Sequence, residues 1–189
     1  MSVNWTESDL KILLTILACI IVGVACAFGF IYSGIYDVSA TTPDNAIVSW
    51  AIHTTSDHSV DARLGGINVP PGLDEPKVIQ SGGQLFAQNC VVCHGGPGLK
   101  PTDIAQGLNP QPPNLFRATR KPWMEEMFRF IKYGVKMTAM PEFGKTHTDE
   151  QIWEIAAFLR QAPGMSPEDF AAQTGISAPK PVEAKPAGN

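Results

Sequence analysis

The feature that most constrains the fold is a long uncharged run near the N-terminus. Residues 12–32 contain no Asp, Glu, Lys or Arg, and nearly all of them are apolar: ILLTILACIIVGVACAFGFIY. About 20 apolar residues in a helix span a hydrocarbon core about 30 Å thick. Such a run predicts a membrane-spanning helix, and the main alternative is a signal peptide that is removed.

The length of the run favours a permanent anchor. A signal peptide usually has an apolar stretch of about 7–15 residues followed by a small-residue cleavage site. Here the run is longer, and aromatic residues at positions 28, 30, 32 and 36 occupy its exit, where an interfacial belt would lie. Lipidation at Cys19 or Cys26 is a weaker alternative, because the apolar residues extend far past either cysteine. We predict a transmembrane anchor over residues 11–33.

Charge and length limit the rest of the chain. Lys11 precedes the run and no Lys or Arg follows it until Arg63, so the positive-inside rule predicts a cytoplasmic N-terminus over residues 1–10. The 189 residues allow one globular domain plus an appendage. A formal net charge of -4 argues against nucleic acid as a partner. Two disulfides are arithmetically possible, but the two cysteines in the run are better explained as small packed hydrophobes.

Residues 34–73 are interpreted as a periplasmic helical spacer or docking segment. Thr42, Pro43 and Asp44 form a helix-start pattern. The apolar stripe predicted for this helix consists of Ile47, Trp50, Ala51 and Thr54. A second short helix is predicted from about Ser56 to the glycines at 65 and 66. The segment either packs on its own domain or the membrane surface, or docks to a larger complex, and the sequence leaves both open.

Residues 74–176 are predicted to form an all-α domain. Helical patterns cover residues 77–89 and 122–133, and a third helix begins at the capping box Thr148-Asp149-Glu150-Gln151 and continues to Gln161. A short fourth helix is predicted from Ser166, which is followed by a proline at the first helical position. Residues 95–121, rich in Gly and Pro, are predicted to form an extended loop, and residues 177–189 a disordered tail.

The chemistry of the chain lies in the segment Cys90-Val91-Val92-Cys93-His94. This C-x-x-C-H pattern is typical of c-type haem attachment, in which two thiols bind the haem vinyl groups and the histidine binds the iron. A redox dithiol needs no histidine and is expected in a βαβ setting, which the sequence lacks. A zinc site needs two further ligands nearby, whereas His53, His58 and His147 are scattered. The segment therefore predicts one covalent haem c with His94 as an iron ligand.

A second axial ligand is expected in the loop between the second and third helices of the domain. Met137 and Met140 both lie there, and a methionine opposite a histidine gives the coordination of cytochromes c and raises the reduction potential. Met140 is preferred because Pro141 restricts its backbone to an extended conformation that presents the sulfur. The alternative is that both methionines only fill space in the core.

Residues 74–161 resemble the class I, single-haem cytochrome c family. The matching features are Gly83 and Phe86, Cys90–His94, Pro112-Pro113-Asn114-Leu115, Met140-Pro141, Trp153 and Leu159. The resemblance implies a helical domain wrapped around one haem, in which the first and last helices cross through Gly83, Phe86 and Trp153. The anchor and residues 34–73 are outside the resemblance, which makes this a membrane-anchored form of the family.

The resemblance also implies further haem contacts. Pro113 would lie on the histidine side of the haem, and a carbonyl in its loop would accept the proton of the far imidazole nitrogen, as in other sites where a second bond orients a ligating histidine. Arg117 and Trp123, together with Arg120 and Lys121, are candidates to contact the haem propionates. The alternative for these residues is an ordinary solvated basic surface.

A haem with both axial positions filled by protein has no site for a small-molecule substrate, so we expect an electron carrier and not an enzyme. By what is known of the family, haem attachment places the domain on the periplasmic side of a bacterial cytoplasmic membrane, held by a single-pass anchor. The expected partners are redox proteins: a quinol-oxidising complex or a dehydrogenase as donor, and a terminal oxidase as acceptor. The alternatives are a fixed relay subunit of a multi-subunit membrane enzyme and, less favoured, a haem enzyme or gas sensor with an open sixth position.

Overall fold

The computed structural model describes residues 6–117 and 123–177, and within these ranges the chain is helical with no strand. The helices are α1 (Glu7–Tyr32), α2 (Ala46–Asp61), α3 (Pro76–Asn89), α4 (Val91–His94), α5 (Asp103–Gln106), α6 (Met124–Tyr133), α7 (Asp149–Gln161) and α8 (Pro167–Thr174), with a 3-10 turn at Phe143–Lys145 before α7. Contacts divide the chain into two compact units, with the boundary between Thr42 and Pro43. The prediction of an all-α fold is confirmed.

The first unit contains α1, a helix of 26 residues, none of which is buried. Thr6 and Asp9 form a capping box, in which Thr6 N donates to Asp9 Oδ2 at 3.0 Å and Asp9 N donates to Thr6 Oγ1 at 3.3 Å. Its mean hydropathy of 2.8 and its length are sufficient to cross a membrane. A signal sequence near an N-terminus meets the same criteria, so α1 shows a candidate span and not yet an anchor.

The second unit begins before α2, which differs from its prediction in two ways. The N-cap is Asn45, whose Oδ1 accepts from Ile47 N at 2.8 Å, and not Thr42. One helix runs through to Asp61, so the predicted break near Ser56 is absent, because no residue there interrupts the hydrogen bonds of the helix. The predicted apolar stripe is also largely exposed: Ile47 is 73% and Trp50 67% exposed, while Val60 near the other end is buried.

The core of the second unit is the crossing of α3 and α7, and the prediction that Gly83 forms it is wrong. Gly82 faces α7, where an added Cβ would lie 1.9 Å from the carbonyl oxygen of Glu154. Gly83 instead faces α8, where a Cβ would lie 2.7 Å from Gln173 O. One residue along a helix rotates the side-chain direction by about 100°, which separates the two glycines.

The aromatic residues of the crossing also pair differently from the prediction. Phe86 is fully buried, and its ring packs at 5.2 Å from that of Phe158. Trp153 lies on the other side of α7, stacked at 4.2 Å on Phe128 of α6. The crossing therefore uses Gly82, Phe86 and Phe158, while Trp153 joins α7 to α6.

The starts of the later helices agree with their sequence signals. Thr148 and Gln151 form the predicted capping box, with Thr148 N donating to Gln151 Oε1 at 2.9 Å. Ser166 Oγ accepts from Asp169 N at 3.1 Å at the start of α8. α6 begins at Met124, and the predicted start at residue 122 lies outside the described residues, as does the tail from residue 178.

Candidate haem-binding site

The C-x-x-C-H segment lies where α3 passes into α4. Cys90 caps the end of α3, and its carbonyl oxygen accepts from Cys93 N at 3.1 Å and from His94 N at 2.8 Å. This single helical turn places residues three and four apart on the same face, so both thiols and the imidazole share one side of the turn. Cys90 is buried and Cys93 half-buried. The local fold therefore brings the three predicted haem-binding side chains to one face of a helical turn.

The environment of the cysteines argues against a redox dithiol or a metal-thiolate centre. Burial, with a smaller contribution from Cys93, raises the pKa of the Cys90 thiol to about 12. A redox-active or metal-binding cysteine instead needs a lowered pKa, because the thiolate is the reactive form. In the described ranges, no group of three or more His, Cys, Asp or Glu side chains is placed to hold a metal ion.

His94 is already oriented by a hydrogen bond. Its Nδ1 lies 3.1 Å from the carbonyl oxygen of Pro113. Because a carbonyl only accepts, Nδ1 carries the proton, and Nε2 keeps the lone pair that an iron atom needs. The acceptor loop is held in turn by Asn114, whose Oδ1 accepts from Phe116 N at 2.9 Å. Pro113 thus lies beside the imidazole of His94 as its hydrogen-bond acceptor.

A cavity of about 390 Å³ lies beside His94, which is within the size range of small-molecule and cofactor sites. Cys93, His94, Leu99, Pro112 and Phe116 are among its lining residues. A larger cavity of about 560 Å³ lies between α2 and α6, but its lining has no cysteine or histidine to hold a haem. The donor set and the space beside His94 fit a covalent haem.

Met140 and Met137 differ in their surroundings. Met140 is half-buried and packs against the hydrophobic core, whereas Met137 is 77% exposed and has a positive φ of 62°. Met140 N donates to Thr138 Oγ1 at 3.1 Å, and Met140 O accepts from Val135 N at 3.1 Å. The loop therefore holds the backbone of Met140 by two hydrogen bonds, although Met140 is not among the residues that line the cavity beside His94.

Of the four candidates for propionate contacts, the structure describes Arg117 and Trp123, and both are exposed. Arg117 is exposed, and Arg120 and Lys121 lie outside the described residues. Trp123 is 69% exposed and lines the larger cavity between α2 and α6, apart from the one beside His94. The structure therefore does not bring Trp123 together with Cys93 and His94.

Two glycines lie next to the candidate ligands, and neither was predicted to be a site residue. An added Cβ on Gly134 would lie 2.7–2.8 Å from Pro141 C, Glu142 N and Met140 O, and one on Gly96 would lie 2.5 Å from Phe170 Cζ. Gly134 gives a sequence signal, because a glycine directly after a helix often adopts a positive φ. Gly96 gives none, because its neighbour is distant in the chain.

Comparison with known proteins identifies the domain. Residues 77–159 match the family described as "Cytochrome C oxidase, cbb3-type, subunit III". Residues 77–159 form a cytochrome c domain. The cofactor of a cytochrome c domain is covalently bound haem c, and its role is electron transfer, so the predictions of the family and of the cofactor are confirmed.

A curated relative extends the comparison. The chain is 27% identical over 140 residues to 1-butanol dehydrogenase (cytochrome c) of Thauera butanivorans (strain ATCC 43655 / DSM 2080 / JCM 20651 / CCUG 51053 / NBRC 103042 / IAM 12574 / Bu B1211). That match covers 73% of this chain but 19% of the relative, so the chain spans about a fifth of the relative's length. No solved structure matches the chain.

Proposed function

We propose that this protein is a membrane-anchored periplasmic electron carrier whose single haem c has His94 and Met140 as axial ligands. Bound haem c supplies a one-electron Fe(II)/Fe(III) couple. Cys90 and Cys93 would hold the group through two thioether bonds. His94 and Met140 would be the two protein ligands of the iron, which would leave no place for a substrate there.

The observation that carries this proposal is the packing of Met140 against the core of the cytochrome c domain. A ligand that stays bound in both oxidation states has to be held by its loop, and the hydrogen bonds of Met140 to Val135 and Thr138 provide that support. At the other proposed ligand, the hydrogen bond from His94 to Pro113 fixes the tautomer and the ring orientation of the imidazole. These hydrogen bonds support the proposal that His94 and Met140 are the ligands.

The test is to compare Met140→Ala with Met137→Ala in the purified, haem-loaded full-length protein. Met140→Ala should remove the weak far-red absorption band of methionine-ligated ferric haem and lower the reduction potential, because the thioether raises that potential. Met137→Ala is the matched control, since its side chain is exposed, and it should leave both unchanged. An unchanged band and potential in Met140→Ala would refute the ligand assignment.

The location and partners are proposed from α1 and the domain together. If α1 anchors the protein, diffusion is confined to two dimensions, and the effective concentration at membrane partners rises. Electrons would then pass between a quinol-oxidising complex or a dehydrogenase and a terminal oxidase. The intact mass of the protein isolated from membranes decides whether α1 is retained: a chain that starts after residue 33 would contradict the anchor.

A fixed relay subunit of a larger enzyme is the second candidate. The matched family is described as a subunit of an oxidase, and in the curated relative the matched region is a small part of a dehydrogenase. Purification from native membranes in mild detergent separates the two candidates. A stoichiometric complex that survives chromatography supports the relay subunit, while a monodisperse single chain supports the carrier.

A further inference from the structure

Helix α8 lies beyond the residues that match the cytochrome c family, yet it is part of the domain core. The match ends at residue 159, whereas α8 covers Pro167–Thr174. Phe170 in its middle is fully buried. Gly83 of α3 faces the helix so closely that an added Cβ would lie 2.7 Å from Gln173 O. Helix α8 therefore packs directly on the helix that leads into the C-x-x-C-H segment.

Phe170 contacts both chain segments that carry the hydrogen bond of His94. On the donor side, its ring lies over Gly96, two residues after His94, and a Cβ on that glycine would lie 2.5 Å from Phe170 Cζ. On the acceptor side, its ring meets that of Phe116 edge-on at 5.3 Å and 89°, three residues after Pro113. One side chain thus fills the space between the donor segment and the acceptor segment.

The segment before α8 adds a second attachment on the acceptor side. Gly164 N donates to the carbonyl oxygen of Phe116 at 3.0 Å. This bond joins the loop that carries Pro113 to the start of the C-terminal segment. The acceptor of the His94 bond is therefore held by the C-terminal segment through the backbone and through an aromatic contact.

We propose that Phe170 of α8 is a positioning residue for the axial histidine, setting the distance between His94 Nδ1 and Pro113 O. This proposal rests on the proposed function, in which His94 Nε2 is an iron ligand. A firm bond at Nδ1 makes the imidazole a stronger donor, which favours Fe(III). A smaller side chain at position 170 loosens both segments, weakens that bond and raises the reduction potential.

The experiment compares Phe170→Leu with Phe158→Leu in the haem-loaded full-length protein. Phe158 is the matched control, because it is also fully buried and its ring meets that of Phe116 at 6.4 Å, but it lies on α7 and the atoms closest to Gly96 all belong to Phe170. The readouts are the exchange rate of the His94 Nδ1 proton with deuterium, followed by NMR, and the reduction potential. Phe170→Leu should exchange about tenfold faster than the control, which corresponds to about 1.4 kcal/mol, and should have the higher potential.

Two results are decisive against the proposal. Equal exchange rates in the two variants, with a wild-type protein that shows histidine and methionine ligation, would overturn the role of Phe170 alone. A wild-type protein that lacks that ligation would overturn the proposed function itself. If Phe170→Leu does not fold, Phe170→Met and Phe158→Met give the same comparison with less loss of volume, and equal rates in that pair would likewise overturn the proposal.

Discussion

Replacing Gly134 with alanine should displace the loop that carries Met140. Gly134 follows α6 with φ 65° and ψ -171°, a region that is essentially restricted to glycine and costs other residues about 1–3 kcal/mol. The new Cβ would also lie within 2.8 Å of Met140 O, Glu142 N and Pro141 C, closer than real Cβ contacts come. Relieving that overlap costs about 1–3 kcal/mol more, by analogy with overpacked cores.

Two control variants separate these contributions. Gly175 has φ 75° with nothing within 4 Å of an added Cβ, so Gly175→Ala should cost only the backbone strain, about 1–2 kcal/mol. Gly144 has no positive φ, but its Cβ would lie 2.9 Å from Lys132 O, so Gly144→Ala tests the steric overlap alone, at about 1–3 kcal/mol. Gly134→Ala combines both and should cost about 2–6 kcal/mol.

The assays are urea unfolding of the haem-loaded protein, the far-red absorption band of the ferric form, and binding of added imidazole. Gly134→Ala should weaken the band and bind imidazole more tightly, since a displaced Met140 competes less well for the iron. Gly175→Ala should lose stability without either change. If Gly134→Ala keeps the wild-type band and loses no more stability than Gly175→Ala, the close packing at Gly134 does not position Met140.

Two further predictions concern the packing of the domain. Gly82→Ala should prevent the crossing of α3 and α7, because its Cβ would lie 1.9 Å from Glu154 O. The free energy of unfolding in urea should fall by more than about 3 kcal/mol. Gly66→Ala is the control, because nothing lies within 4 Å of its added Cβ, and equal losses of stability in the two variants would contradict the assignment of the crossing. Lys132→Met removes the 2.7 Å ion pair with Asp149, whose side chain is 59% exposed. The free energy of unfolding in urea should fall by less than about 1 kcal/mol. A loss of several kcal/mol would show that the pair behaves as a buried one.

Local signals in the sequence predicted the local structure well. The capping box at Thr148 and the cap at Ser166 are read directly from short-range side-chain chemistry, and both are present. The C-x-x-C-H segment predicted the cofactor for the same reason, because its geometry needs only one helical turn. Thr42 failed as a cap because Asn45, three residues later, offers an equally good side chain directly before the helix.

Long-range contacts could not be predicted in the same way. Gly82 and Gly83 are adjacent glycines, and the sequence does not show which of them faces which helix. Only the rotation of α3 relative to α7 and α8 decides this. Trp153 was expected at the crossing, but the opposite side of α7 offered Phe128 as a stacking partner. The contact between Phe170 and Gly96 joins residues far apart in the chain, and no local pattern marks it.

Carbon monoxide binding to the reduced protein tests the central claim most directly. If His94 and Met140 both bind the iron, the ferrous wild-type protein has no open axial position, and its absorption spectrum should not change when carbon monoxide is added. Met140→Ala should then bind carbon monoxide readily, which shows that the probe reaches the haem. Ready binding by the wild-type protein would mean that the sixth position is open, and the protein would have to be reconsidered as a haem enzyme or gas sensor.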